Sequence, residues 1–268
     1  MIESLEELWN ARELIYNLIL RDLKVRYKNS LLGIFWSWLN PLLMMLVFTF
    51  VFNVMQGRDM PNYHIFVLSA LLPWNFFSGA VMGGIRSITS NGHLIKKVYF
   101  PRAVLPISLV LSNLVNFVIS LPVLFILALI SGMRFSPWLL LLPIPILVET
   151  VFIVGIVLFL STLEVFYRDT HMLMDIGILA WFFMTPIFYS VQQMPPQAHL
   201  LGYEFNPQRI IFWINPMASI INTYQDLIYR GAPTALDFLV RTAVTAVIVL
   251  IFGYWFFLRF SGRFGEEV

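Results

Sequence analysis

The feature that most constrains this chain is a long uncharged run near its N-terminus. From Leu31 to Val54, 24 residues pass without one Lys, Arg, Asp, Glu or His. At about 1.5 Å per residue, a helix of this length crosses a hydrocarbon core of about 30 Å. A signal peptide would be shorter, would begin earlier and would end in small residues, which Asn53-Val54-Met55-Gln56 does not provide. The run therefore predicts a retained membrane helix.

Composition extends this conclusion to the whole chain. Hydrophobic residues make up 59% of the 268 residues and charged residues 12%, against about 25% charged residues in soluble domains. Such a chain cannot cover a water-facing surface, so we expect an all-α membrane protein. The lack of cysteine excludes disulfides and thiolate metal sites. The net charge of +2 is too small to indicate nucleic acid as a partner.

Five further apolar stretches predict five more membrane spans, which makes six. Helices fit them better than barrel strands, which need only about ten alternating residues. The stretches lie near Tyr63–Ile85, Ile107–Ile130, Leu139–Leu163, Ile176–Val191 and Ala235–Leu258. We therefore expect a single domain over 1–268. It consists of a cytoplasmic interfacial helix (1–30), a six-span unit (31–258) and a cytoplasmic tail (259–268).

The distribution of Lys and Arg predicts the orientation of the spans. If the N-terminus is inside, twelve of these residues fall in inner segments and five in outer segments. Four of the twelve, Arg21, Lys24, Arg26 and Lys28, stand directly before the first span. Positive residues concentrate on the cytoplasmic side of membrane proteins, so both termini are expected in the cytoplasm.

The N-terminal segment has the pattern of an amphipathic helix. Ser4 and Glu7 have the spacing of a capping box, with Ser4 as the N-cap. One side of the helix is apolar and the other is polar. The apolar side carries Leu5, Leu8, Ile15 and Ile19, and the polar side carries Glu6, Asn10, Glu13, Asn17 and Arg21. The pattern fits a plain anchor in the inner interface or a docking surface for a cytoplasmic partner.

Two connections between the spans are more apolar than solvated loops. The inner segment from Ser90 to Arg102 interleaves basic and apolar residues, which predicts a short helix that docks into a soluble protein. His93 alone carries little weight in this prediction. The outer segment 192–234 includes the run Ile210-Ile211-Phe212-Trp213-Ile214. It predicts short re-entrant helices before the last span, because irregular backbone at membrane depth must be buried or line a cavity.

Glu149 is the one carboxylate predicted well inside a span. It fits either a structural hydrogen bond between helices or a site on a transport path. The sequence has no Gly-x-x-x-x-Gly-Lys-Ser/Thr phosphate loop, so this chain is not expected to bind ATP in that manner. No clustered acid–His set indicates a metal site. Six spans form a narrow bundle, so a large path would require a second copy of the chain.

One further set of motifs extends over nearly the whole chain in a fixed order. It consists of Arg21-Asp22-Leu23-Lys24-Val25-Arg26-Tyr27-Lys28-Asn29-Ser30-Leu31-Leu32-Gly33, Trp36, Asn40-Pro41-Leu42, Phe100-Pro101-Arg102-Ala103-Val104-Leu105-Pro106, Tyr167-Arg168-Asp169-Thr170-His171, Thr185-Pro186-Ile187-Phe188-Tyr189, Asn215-Pro216 and Tyr224. Together these motifs resemble the permease subunits of type-2 ATP-binding-cassette polysaccharide exporters. The basic opening is more similar to the O-antigen and teichoic-acid branch than to the capsule branch.

This resemblance implies a homodimer of permeases in the bacterial cytoplasmic (inner) membrane, with two separate ATPase subunits. ATP and Mg would be bound by those partners, and this chain would hold no cofactor and carry no catalytic residue. The substrate would be a polysaccharide linked to a polyprenyl diphosphate lipid. The N-terminal helix and the loop after the second span would contact the ATPase. The coupling residues would be His93, Leu94, Lys96, Lys97, Tyr99, Phe100 and Arg102, and the outer gate residues Ile211, Trp213, Asn215, Pro216 and Tyr224.

Two further residue sets fit a glycan substrate. Aromatic rings on the first and fifth spans could stack on sugar faces; those predicted to line the path are Trp36, Trp38, Phe48, Trp181, Phe182 and Tyr189. Rings of this kind also face lipid in ordinary membrane helices. Arg26, Lys28 and Arg86 are candidate partners of the lipid diphosphate, although the positive-inside rule alone would place them at the inner surface.

Three alternatives to a polysaccharide exporter follow from the sequence. The first is an ATP-binding-cassette exporter of a drug or small lipid. The second is a membrane transferase acting on polyprenyl lipids, for which Glu164, Asp169 and Asp175 form a weak acidic set. The third is a proton-coupled carrier that uses Glu149. A tightly associated ATPase subunit would distinguish the exporters from the other two.

Overall fold

The fold was analysed in a computed structural model, which describes residues 2–28, 32–55, 60–98, 100–191, 198–200 and 203–267. Apart from two paired three-residue strands, the regular elements in these ranges are helices. The helices are α1 (Ile2–Asn10), α2 (Arg12–Tyr27), α3 (Trp36–Phe48), α4 (Tyr63–Ile85), α5 (Gly92–Lys97), α6 (Val104–Ile130), α7 (Pro143–Phe166), α8 (Thr170–Met184), α9 (Pro207–Ile214), α10 (Pro216–Gln225), α11 (Leu236–Ser261) and α12 (Phe264–Glu267). The strands, β1 (Ala198–Leu200) and β2 (Tyr203–Phe205), pair antiparallel.

Several helices are extended by tighter or wider turns. A 3₁₀ turn, Gly33–Phe35, precedes α3 and a π-helical stretch, Thr49–Met55, continues it. A 3₁₀ turn, Pro137–Leu141, leads into α7. A second π-helical stretch, Asp226–Arg230, follows α10.

Five helical segments among the described residues are long and apolar enough to cross a membrane. They are Gly33–Met55, Tyr63–Ile85, Val104–Ile130, Pro137–Phe166 and Leu236–Ser261. Apolar stretches of the sequence therefore predicted these five closely, and α4 has the predicted bounds. The chain is a multi-pass helical membrane protein.

The fifth predicted span differs from the structure. The sequence analysis placed it at Ile176–Val191, whereas α8 covers Thr170–Met184 and has 15 residues. At about 1.5 Å per residue it is about 22 Å long, which is shorter than a typical hydrocarbon core. The helix ends at Thr185-Pro186 because a residue before proline disfavours the α conformation. A count of uncharged residues does not detect that signal, and six full spans remain a prediction.

Helix α4 forms the centre of the bundle. In the apolar stretch of α4, 78% of the residues are buried, whereas only 11% are buried in the corresponding stretch of the first span. The first span therefore lies at the periphery of the bundle. The residues from Ile65 to Leu72 are all buried, and α6, α7 and α10 pack around them. Helices α3, α8 and α11 leave apolar faces uncovered, including Leu46, Ile176 and Ile248. These faces contact lipid or another chain.

Helices α7 and α11 form the most extensive helix–helix contact among the described residues, and two glycines lie in it. A Cβ added to Gly253 would overlap the carbonyl of Gly155. A Cβ added to Gly155 would lie 2.6 Å from the backbone nitrogen of Leu250. Small residues allow membrane helices to approach backbone to backbone, which increases van der Waals packing. The two glycines therefore fix how α7 and α11 cross.

The N-terminal segment packs against the end of the bundle that carries α5, as two helices. Ala11 separates α1 from α2. Helix α1 begins at Ile2, so the prediction of Ser4 as the N-cap is wrong. Leu8, Ile15 and Leu18 pack against a second apolar cluster, which includes Ile88, Ile95, Val104, Leu158, Val165 and Phe257.

Polar groups of the N-terminal segment point away from this cluster. Glu6, Asn10, Glu13 and Asn17 are exposed, which agrees with the amphipathic spacing. The side chain of Leu5 lies outside the described residues. The membrane-interface location of the segment stays a prediction.

Candidate functional site

A polar cavity lies among the end of α2, the start of α3, and facing parts of α4 and α6. Its volume is about 400 Å³. We call it the inner cavity, because it adjoins the basic segment that is predicted to face the cytoplasm. Its polar wall is formed mainly by asparagine side chains and its apolar wall by aromatic rings. The lining includes Arg26, Tyr27, Trp36, Ser37, Asn40, Asn75, Phe76, Asn113, Asn116 and Phe117.

Hydrogen bonds hold the α2 end of the inner cavity against α6. Arg26 Nη2 donates to Asn113 Oδ1 at 3.0 Å. The Tyr27 hydroxyl donates to Asn116 Oδ1, and Ser37 Oγ donates to the same oxygen at 2.7 Å. These bonds connect the end of α2 and the start of α3 directly to α6.

The asparagines on α4 and α6 that line the inner cavity lie on one face of each of these otherwise apolar helices. Asn113, Asn116 and Ser120 recur at i, i+3 and i+7 on α6, and Asn75 and Gly79 at i and i+4 on α4. That spacing places each set on one helix face. The sequence analysis missed these residues because it searched the spans for ionisable groups. A periodicity search over amide side chains would have found them.

The inner cavity can bind a polar solute that hydrocarbon excludes. Asparagine amides both donate and accept hydrogen bonds, whereas a guanidinium donates only and favours anionic oxygens. Arg26 is the one charged side chain among the described residues that line this cavity. Trp36, Phe76 and Phe117 add ring faces for apolar contact. A ligand with hydroxyls and one anionic group fits this set.

The three predicted diphosphate partners are not brought together. Arg26 lines the inner cavity, and Lys28 is exposed at the C-cap of α2. Arg86 lies at the end of α4 and donates from Nη2 to His171 Nε2. His171 Nδ1 lies 3.0 Å from the carbonyl oxygen of Arg168 and 3.3 Å from Glu164 Oε1. Arg86 thus joins α4 to the junction of α7 and α8.

Some of the predicted path-lining rings form one aromatic cluster where the first span meets α8. Phe48 contacts Phe182 and Phe188, with ring centroids 5.8 and 6.1 Å apart. Phe52 stacks on Phe188 at 4.7 Å, and Tyr189 meets Phe188 at 5.3 Å. The sequence analysis did not select Phe52 or Phe188.

The three predicted tryptophans lie apart from that cluster. Trp36 is 48% exposed and lines the inner cavity. Trp38 donates to the carbonyl of Ile119 at 2.8 Å and so packs against α6. Trp181 donates to Asn215 Oδ1 at 2.7 Å and faces the core of the bundle.

The predicted coupling residues lie on α5 and in the segment that follows it. His93, Lys96 and Lys97 are exposed, whereas Leu94, Phe100 and Arg102 are half-buried, and Tyr99 lies outside the described residues. Ile95 anchors α5 in the second apolar cluster. A cleft of about 470 Å³ separates this segment from the end of α11, and both lysines and Arg102 line it. The segment thus forms a basic, partly apolar surface.

The predicted gate residues belong to α9, α10 and their junction. Trp213 is 66% exposed on α9 and Ile211 is half-buried, whereas Tyr224 is fully buried. Asn215, which caps α10 ahead of Pro216, donates to Thr185 Oγ1 at 2.9 Å and to the carbonyl of Met184. This one side chain therefore joins the short outer helices to the end of α8.

Further hydrogen bonds satisfy the irregular backbone of residues 185–191. The Tyr63 hydroxyl donates to the carbonyl of Phe188 at 2.6 Å. Gln225 Nε2 donates to the carbonyl of Pro186 at 3.1 Å. Irregular backbone at membrane depth needs such partners, because lipid supplies none.

Glu149 is fully buried and accepts a hydrogen bond from the Tyr224 hydroxyl at 2.8 Å. This contact joins α7 to α10. It is the interhelical hydrogen bond that one of the two interpretations of Glu149 predicted. The carrier interpretation would require Glu149 to exchange protons with water, and its side chain has no exposed surface.

Long apolar helices around a polar cavity are typical of the membrane subunit of a transporter. The family model of the ABC-2 type transporter matches residues 13–229. The chain belongs to this family of ATP-binding-cassette permeases, whose transport requires an ATPase partner.

Two similar proteins cover nearly its full length. The chain is 34% identical over 254 residues to the "O-antigen export system permease protein RfbA" of Myxococcus xanthus, and the alignment covers 93% of each chain. It is 32% identical over 248 residues to the protein of the same name from Klebsiella pneumoniae, which covers 92% of this chain and 91% of that one.

Proposed function

We propose that this chain is the membrane subunit of an exporter of lipid-linked polysaccharide, with an O-antigen-type glycan as the substrate class. The observation that carries the proposal is the similarity to two O-antigen export permeases over more than nine-tenths of the chain. The glycan is carried on a polyprenyl diphosphate lipid. The protein resides in the bacterial inner membrane with both termini in the cytoplasm, in keeping with its twelve-to-five distribution of Lys and Arg.

In this proposal the inner cavity receives the polar end of the substrate. Arg26 contacts the diphosphate, and Asn75, Asn113 and Asn116 exchange hydrogen bonds with sugar hydroxyls. Trp36 stacks on a sugar ring at the entrance. The size of the cavity, about 400 Å³, lies within the range of roughly 300–1,000 Å³ that small-ligand sites occupy.

The path itself is built between two copies of the chain. One chain leaves apolar faces on its first span and on α8, where Phe50 and Phe183 are each 58% exposed. Two such faces opposed across a dimer axis would enclose a channel lined by rings. Aromatic rings hold sugars through many weak contacts, which allows a long glycan to advance without stalling.

Energy for export comes from two ATPase subunits bound at the cytoplasmic end. The exposed basic residues of α5 and the half-buried Phe100 contact the ATPase in this proposal. Arg26 and Tyr27 connect the N-terminal helices to α6, so movement at the cytoplasmic end reaches the inner cavity.

Deletion of the gene tests the proposed function in the native bacterium. We expect polyprenyl-linked glycan to accumulate inside the cell while surface glycan is lost, because synthesis continues without export. Lectin staining of intact and permeabilised cells measures the two pools. Re-expression of the chain should restore surface staining. Normal surface glycan in the deletion strain would contradict the proposal.

A further inference from the structure

A second polar cavity lies at the end of the protein away from α5. It is bounded by α9, α10, the π-helical stretch Asp226–Arg230 and the start of α11, and its volume is about 420 Å³. We call it the outer cavity. The residues of its wall that enter the argument are Phe212, Ser219, Asn222, Asp226, Arg230 and Phe238.

The polar wall of the outer cavity is a network of hydrogen bonds around one ion pair. Arg230 forms an ion pair with Asp226 and donates to Asn222 Oδ1 at 3.2 Å and to Ser190 Oγ at 3.2 Å. Asn222 in turn donates to Asp226 Oδ2 at 2.8 Å. Each carboxylate oxygen of Asp226 thus accepts one hydrogen bond from the protein and can accept another from a ligand.

Ser219 supplies an independent sign of a ligand. It lines the outer cavity and is 3% exposed, and its hydroxyl has no hydrogen-bond partner within the part of the chain that the structure describes. A buried hydroxyl without a hydrogen-bond partner is energetically unfavourable. A ligand hydroxyl in the cavity would remove that cost.

Two rings form the apolar part of the wall. Phe212 and Phe238 pack with centroids 4.9 Å apart at an interplanar angle of 36°. The polar wall follows a π-helical stretch, an arrangement that is rare in helices and concentrates at functional sites.

We propose that the outer cavity is a binding subsite for one neutral sugar residue of the exported glycan. The Asp226–Arg230 pair makes the wall nearly neutral, which disfavours both anions and cations. The network contains both donors (guanidinium and amide N–H) and acceptors (carboxylate and amide oxygens). It can therefore bind the adjacent hydroxyls of a sugar, since each hydroxyl both donates and accepts a hydrogen bond. The phenylalanine rings match the C–H face of a sugar. The subsite rests on the proposed function, since it would hold the glycan on its exit side.

Cysteine protection tests the subsite, because the chain contains no cysteine of its own. Ala232 lines the outer cavity, and Arg209 is exposed on α9 outside it. The assay compares Ala232→Cys with Arg209→Cys in the complex with its ATPase in lipid nanodiscs. A membrane-impermeant maleimide is applied with methyl glycosides of glucose, galactose, mannose and rhamnose.

We expect at least one glycoside to slow labelling of Ala232→Cys about threefold at twice its Kd, since occupancy reduces the rate by 1 + [L]/Kd. Labelling of Arg209→Cys should not change. Asn222→Ala in the Ala232→Cys chain should remove the protection. Ser219→Ala, which deletes only an unpartnered hydroxyl, should weaken it even if Asn222→Ala does not fold.

Three results would overturn the subsite: no protection by any glycoside, equal protection at both cysteines, or no labelling of Ala232→Cys. Export by the Ala232→Cys chain separates this failure from failure of the proposed function. Normal export without protection would remove the subsite alone. Normal surface glycan in the deletion strain would remove the proposed function and leave the labelling result standing.

Discussion

Replacing Arg26 with alanine is expected to lower glycan export about tenfold or more, because a hydrogen bond to a charged group contributes about 1.5–3 kcal/mol and each 1.4 kcal/mol is tenfold in rate. Arg26 is the cation of the inner cavity and is held there by Asn113. The change leaves Asn113 Oδ1 open to the cavity, where water can replace the lost donor. Surface glycan per copy of folded permease, measured in the deletion strain, gives the effect.

Lys28→Ala is the matched control for Arg26→Ala. It removes the same charge two residues away, from a side chain at the end of α2 that is not among the described residues lining the inner cavity. Surface substitutions usually change free energies by no more than about 0.5 kcal/mol, which corresponds to about twofold. Equal losses from both variants would mean that Arg26 acts only as part of the general positive charge at the inner surface.

Replacing Gly253 with alanine is expected to destabilise the fold by about 3 kcal/mol, the upper end of the usual cost of overpacking. The new Cβ would overlap the carbonyl of Gly155, and a backbone atom of a packed helix cannot turn aside as a flexible side chain can. The helices α7 and α11 would have to separate along their whole contact. Thermal unfolding of the purified protein in detergent, and the yield of monodisperse protein, measure the loss.

Gly262→Ala serves as the control for this change. Gly262 follows the last turn of α11, and a Cβ added there meets no atom within 4 Å. Its unfolding temperature should match that of the unchanged chain. If Gly253→Ala unfolds at the same temperature as Gly262→Ala, the close crossing of α7 and α11 is not what holds these helices together.

Most of the membrane-spanning helices could be predicted from the sequence because a single property determines them. A run without charge has to be long enough to cross the hydrocarbon, and Tyr63–Ile85 meets that condition with clear limits at both ends. The end of α8 could not be predicted this way. Thr185-Pro186 ends the helix within an apolar run, and the backbone beyond it is satisfied by residues from distant parts of the chain, such as Tyr63 and Gln225.

The candidate sites were less predictable, because they depend on contacts between separated segments. The partner of Glu149 is Tyr224, on a helix 75 residues further along the chain. The inner cavity depends on asparagines, which carry no charge and therefore stand out only by their spacing on α6. The outer cavity depends on Asp226 and Arg230, which the apolar character of the surrounding segment obscured.

ATP-driven transfer of the glycan in a purified system tests the central claim most directly. The chain and its ATPase are reconstituted into proteoliposomes with lipid-linked glycan accessible only on the ATPase side. The glycan that becomes accessible to a lectin on the opposite side is measured over time. The account predicts that transfer requires both ATP and this chain, and that the Arg26→Ala substitution slows transfer. Transfer at the same rate without ATP would contradict the account. So would the absence of transfer when the ATPase complex is active and the substrate is intact.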